Sequence, residues 1–234
     1  MKRIFIFLLI ICSILSPPSV RLCLSTEASC EGRKTLNDRA AFTIMINPAG
    51  DAENKGRLID DAFEHSITFA LAHALQNQIE HSIPGARVIL THTPSEVMRS
   101  HANANFANRL HVDLFLSLHC FAESQTRPQL AIYTFGHGDQ GSVRLPDLAF
   151  YPFDQAYLLH QDETQKYAHA MQKALKKQSK LCDVSAIYKI PFKPLMGIKA
   201  PAIGIEIGLK NKQNWQSFVI PLAEAVMEIV GVRA

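Results

Sequence analysis

At 234 residues and 47% hydrophobic composition, the chain can bury one good core, and two separate domains are not expected. A net charge of +3 with a pI near 8.6 is too mild for a nucleic-acid binder and leaves only a weak attraction to an anionic polymer.

Lys2 and Arg3 precede an apolar stretch from Ile4 to Leu15, and Ser16-Pro17-Pro18 follows. This is the pattern of a secretory signal, too short for a comfortable membrane span. Residues 1–28 therefore read as a signal peptide, 29–40 as a polar linker and 41–234 as the folded domain. The expectation is export to the periplasm or cell envelope, with no membrane span after cleavage. A retained signal anchor is the alternative, and it also puts the domain outside the cytoplasm. The cysteines are Cys12, Cys23, Cys30, Cys120 and Cys182. No C-x-x-C pair exists, so a thiolate zinc site is unsupported. A Cys120–Cys182 disulfide is compatible with export, but the spacing does not call for one.

Ala41 to Ile46 is a β-rich apolar run closed by the turn cluster Asn47-Pro48-Ala49-Gly50, which predicts the first strand and loop. From Asp60 to Glu80, apolar residues at Phe63, Ile67, Ala70, Leu71, Ala74, Leu75 and Ile79 recur at helical spacing. Arg87 to Thr91 is the second strand. Thr93-Pro94-Ser95-Glu96 carries a helix-start signature, with Thr93 as N-cap and Pro94 at the first helical position. It predicts a helix to about Leu110. Asp113 to His119 is the third strand, short and apolar like a buried parallel strand, with the histidine at its end.

Gln129 to Phe135 is a fourth strand. Gly136 to Pro152 is a Gly-, Pro- and Asp-containing loop, long enough to expect a role as a lid or plug over a site. Asp162 to Lys177 is an amphipathic helix, Val184 to Ile190 a strand and Pro201 to Gly208 the last strand. Trp215 to Val230 closes the chain as a helix. Alternating strands and helices predict an α/β class, with a mainly parallel twisted sheet flanked by helices in a single domain.

Two polar positions interrupt apolar strands. Glu206 breaks the run from Ile203 to Ile207, and a lone carboxylate there costs several kcal/mol unless it is paired or faces a cleft. His119 stands where the strand meets its loop, the edge at which α/β sheets bind ligands. Glu64, on the first long helix, offers a carboxylate oxygen to complement the His119 imidazole as zinc-ligand chemistry. Cys120 cannot pair with His119, because adjacent strand residues point to opposite faces.

Ala107-Asn108 and Asp113-Leu114-Phe115-Leu116-Ser117-Leu118-His119, with Pro201-Ala202-Ile203-Gly204-Ile205-Glu206-Ile207-Gly208 and Asn211, resemble the signatures of the zinc-dependent N-acetylmuramoyl-L-alanine amidases. The resemblance covers Phe42 to Val230. It implies zinc held by a His after the first strand, by Glu64 and by His119, with Glu206 as the catalytic glutamate. It also implies peptidoglycan or muropeptides as substrate, cleaved at the amide between the lactyl group and L-alanine. Where that family reads Asp-Pro-Gly-His-Gly-Gly, this chain has Asn47-Pro48-Ala49-Gly50-Asp51-Ala52, so Gly50 stands at the ligand histidine. Asn103 stands where an arginine is expected. Asp51, His137 and His65 are the candidate substitute ligands, Asp51 being the simplest. The alternative is a catalytically inactive amidase-like domain that binds muropeptides or regulates a cell-wall enzyme.

Overall fold

The computed structural model describes residues 42–99, 101–137, 152–178 and 180–233. The expected signal (1–28), the expected linker (29–40) and nearly all of the expected lid loop lie outside the described residues.

A six-stranded sheet forms the centre. Its strands are β1 (Phe42–Pro48), β4 (Ala86–Leu90), β5 (Leu114–Ala122), β6 (Gln129–Phe135), β7 (Asp183–Ile190) and β8 (Ala202–Leu209), in the order β4-β1-β5-β8-β6-β7. β4, β1, β5 and β8 run parallel, β6 is antiparallel to β8, and β7 is parallel to β6. The remaining strands, β2 (Leu58–Ile59) and β3 (Ala62–Phe63), make a small hairpin. It leads into α1 (Glu64–Ser82); the other helices are α2 (Ala102–Leu110), α3 (Gln161–Lys177) and α4 (Val219–Arg233). Among the described residues no helix is long and apolar enough to cross a membrane.

Strand alternation sorts the side chains into two layers. Ile44, Ile46, Leu114, Leu116, Leu118, Cys120, Ile203, Ile205 and Ile207 are buried in one large core with residues of α1, α3 and α4. Met45, Phe115 and Ala202, one residue out of phase, fall in a smaller core with Ala104 and Ala107 of α2 and with Leu195 and Ile198. Asn47, Ser117, His119, Gly204 and Glu206 share the phase of this second set. The thin face of the sheet therefore carries all the polar strand residues of interest.

Two elements differ from expectation. The helix-start signature at Thr93 opens a turn, and α2 begins only at Ala102. Glu96 Oε2 does accept the Thr93 N–H at 2.6 Å, as in a capping box. The next backbone groups are captured by the first loop: the Ala52 N–H donates to the Glu96 carbonyl and the Met98 N–H to Asp51. These bonds divert the chain from a helical ladder. Strand β5 also runs three residues beyond His119, to Ala122, because the Cys120 and Phe121 positions keep pairing with β8. His119 is thus a face residue of the sheet, not an edge residue.

Candidate active site

Glu64 is the first residue of α1, the end of a helix that favours a carboxylate, and is 4% exposed. Its Oε1 accepts the Cys120 N–H at 3.0 Å and its Oε2 the Arg57 N–H at 3.1 Å. His119 Nδ1 lies 3.6 Å from Oε1. Burial alone pushes the Glu64 carboxyl up, but the His119 contact and the two N–H groups outweigh it and hold the group below its ordinary range. Gly56 makes room for this arrangement. With φ +74°, a Cβ there would fall 2.6 Å from Glu64 Oε2.

His119 and Glu206 face each other directly across the β5–β8 register. Glu206 has both oxygens engaged: Arg57 Nη1 donates to Oε1 at 2.6 Å and the Tyr133 hydroxyl to Oε2 at 2.8 Å. Burial, with the Glu206 contact added, raises the Tyr133 phenol to about 12, so it acts as a hydrogen-bond donor throughout the neutral range. Phe192 packs edge-on against His119 at 5.0 Å between centroids and stacks on Tyr133 at 5.1 Å. It covers one flank of the imidazole.

Behind His119 runs a chain of neutral hydrogen bonds. Asn47 Nδ2 donates to Ser117 Oγ at 2.9 Å, and Ser117 Oγ lies 3.0 Å from His119 Nε2. Ser117 Oγ, which accepts from Asn47, keeps its own proton and a second lone pair for Nε2, so it pairs with either tautomer of the ring. The other ring nitrogen, Nδ1, faces Glu64. Asn47 Oδ1 accepts from Asn103 Nδ2 at 2.8 Å and from Thr91 Oγ1 at 3.0 Å. The two departures from the family pattern, Asn47 and Asn103, therefore touch. A neutral amide pair stands where the resemblance calls for an aspartate and an arginine.

The substitute-ligand candidates have separate placements. Asp51 is 5% exposed, and its carboxylate accepts three backbone N–H groups, from Glu53, Asn54 and Met98, at 2.9, 2.6 and 3.1 Å. The Asn54 N–H dominates, and the set together overcomes burial and lowers its pKa. His65 Nδ1 is buried with no hydrogen-bond partner, and Nε2 lies 3.4 Å from Ser66 Oγ. His137 Nε2 lies 3.9 Å from Asp154. Gly50 has φ +82°, and a Cβ there would meet the His65 Cβ at 2.7 Å.

Catalytic zinc takes three protein ligands as a rule. Glu64 and His119 are close enough to share one ion. Among the described residues no group of three His, Cys, Asp or Glu side chains converges. Among the described residues Glu64 and His119 supply two of those three donors, and Gly50 leaves the set one short of a catalytic zinc site.

Sequence reasoning singled out Glu64, His119 and Glu206; the fold sets His119 and Glu206 side by side on one face of β5 and β8 and brings Glu64 from α1 within 3.6 Å of His119. It missed Arg57, Tyr133, Phe192 and Ser117. Ser117 carried a signal, since it breaks an apolar run two residues before His119 and so shares its face. Arg57 carried none, because the small β2–β3 hairpin that follows it has no periodic pattern.

An imidazole and two carboxylates thus gather beside β5 and β8 of a mainly parallel sheet. The N-acetylmuramoyl-L-alanine amidase family model matches residues 44–218, three quarters of the chain, and the chain belongs to that family. It is an amidase-like hydrolase of peptidoglycan. The fold is similar to an N-acetylmuramyl-L-alanine amidase from Mycobacterium smegmatis, with TM-score 0.62 and 13% identity over 82% of this chain and 98% of that one. It is also similar to the catalytic domain of an N-acetylmuramoyl-L-alanine amidase from Bacillus (Paenibacillus) polymyxa var. colistinus, with TM-score 0.60 and 15% identity over 82% and 99%. A Clostridium difficile 630 amidase gives TM-score 0.58 and 19% identity over 83% and 96%. No curated protein sequence matches the chain significantly.

Proposed function

We infer that this exported domain binds the amide joining the lactyl group of muramic acid to L-alanine against the β5–β8 face and hydrolyses it, with Glu206 as the working base. The carrying observation is the register pair His119–Glu206, with Glu64 behind it. Glu206 accepts a proton from a water molecule as the water oxygen adds to the carbonyl carbon. The same proton passes to the departing nitrogen as the carbon–nitrogen bond breaks, leaving a lactyl carboxylate and a free L-alanyl amine. Tyr133 holds Oε2 so that Oε1 keeps one orientation. The Ser117–Asn47 chain fixes the ring of His119.

One observation favours a second reading, binding without turnover. Both Glu206 oxygens are already hydrogen-bonded, and Oε1 meets a guanidinium at 2.6 Å, so a water competes with two donors for the lone pairs of the base. The two readings separate on a muropeptide assay. Turnover lost by about 100-fold or more in Glu206→Gln, with binding retained, supports hydrolysis. Equal binding and no product from either protein leaves the binding role.

A further inference from the structure

Arg57 brings a permanent positive charge to both carboxylates of the site. Its backbone N–H donates to Glu64 Oε2 and its guanidinium to Glu206 Oε1. The Glu206 contact holds the guanidinium more basic than usual against the opposing effect of burial, and arginine is charged at any working pH. Its side chain is 52% exposed against 19% for Glu206. Part of the fork therefore remains open to a ligand at the same place. The guanidinium carbon also lies 6.0 Å from the Phe121 ring centroid, within cation–π range.

We propose that Arg57 takes the place of a metal ion in this site, pairing its charge with Glu206, holding Glu64 through its backbone N–H and offering its free N–H donors to the carbonyl oxygen of the bound amide. This rests on the reading that the site addresses the lactyl–L-alanine amide. Two observations converge on it. The third metal donor is missing at Gly50, whose Cβ space is filled by His65. A cation already sits on the carboxylate that an ion-bound water would need as its base. A guanidinium can do part of what an ion does at a carbonyl, since aimed N–H donors stabilise the oxygen as it takes on negative charge. The bond changes are unaltered: the proton goes from water to Glu206 and then to the leaving amine.

The test uses the full chain, stripped with chelator and titrated with zinc chloride by calorimetry. It is then titrated with N-acetylmuramoyl-L-alanyl-D-isoglutamine in chelator. The wild type is expected to show no stoichiometric zinc site and to bind the dipeptide without metal. Arg57→Ala is expected to gain detectable zinc binding, because the competing charge has left, and to bind the dipeptide about tenfold more weakly. Arg57→Lys keeps the charge without the fork; it should remain zinc-poor and recover part of the dipeptide affinity, and circular dichroism of both variants excludes loss of fold. One zinc per wild-type chain, lost in Glu64→Ala or His119→Ala, overturns the proposal. So does an Arg57→Ala protein with both affinities unchanged. If no form of the protein binds the dipeptide, with or without zinc, the substrate reading fails, and the zinc titration of Arg57→Ala still decides the role of the cation.

Discussion

Asp51→Ala tests whether the first loop is built on its carboxylate. Three backbone N–H groups point at that carboxylate over 2.6 to 3.1 Å, and two of its loop partners are followed by Gly56 and Arg57, next to Glu64. A hydrogen bond to a charged group is worth about 1.5–3 kcal/mol. Removing the buried carboxylate also recovers its desolvation cost, and water reaches some of the freed N–H groups. The net loss should be about 2–4 kcal/mol in urea unfolding at pH 7. The sign with pH follows from the depressed Asp51 pKa. The stabilisation is complete above the unfolded carboxylate pKa of about 3.9 and is lost as pH falls through the lower folded value. The gap between wild type and variant should therefore close below about pH 4. A loss under about 0.5 kcal/mol at pH 7, or a gap that persists unchanged in acid, refutes the loop-staple reasoning.

Further outcomes follow from other contacts. Leu75→Ala, at a fully buried α1 position, should cost about 2–5 kcal/mol in the same unfolding assay. Cys120 and Cys182 are both buried and free; burial pushes both thiols up. Neither should react with an alkylating reagent at pH 7.5 until the protein unfolds, and modification of Cys120 in the native state would contradict its burial in the main core. Asn47→Asp alone should destabilise by about 1–3 kcal/mol, because Asn103 cannot neutralise the new buried charge. Adding Asn103→Arg should recover most of that loss, and a double variant no better than the single one would show that the two residues do not act as a pair.

Much of the site was legible because strands punish polar residues. Glu206 and His119 stood out as breaks in apolar runs, and alternation then required both to leave the main core. Their pairing across β5 and β8 was not legible, because register is set by the whole sheet. The Asn47 and Asn103 departures were visible one at a time, but only the fold makes them neighbours. The helix expected from Thr93 failed because a locally sound capping box competes with bonds from Asp51 and Ala52, which lie about forty residues away in sequence. Arg57 escaped notice altogether. A half-exposed arginine in a short polar segment looks like any surface cation until the chain folds it onto Glu206.

The most direct test of the account is mass spectrometry of a purified muropeptide incubated with the full chain in heavy-oxygen water. The account predicts a free L-alanyl amine and one heavy oxygen in the new lactyl carboxylate, both absent with Glu206→Gln. Cleavage at a glycosidic or another peptide bond, or the same lactyl product from Glu206→Gln, would contradict it.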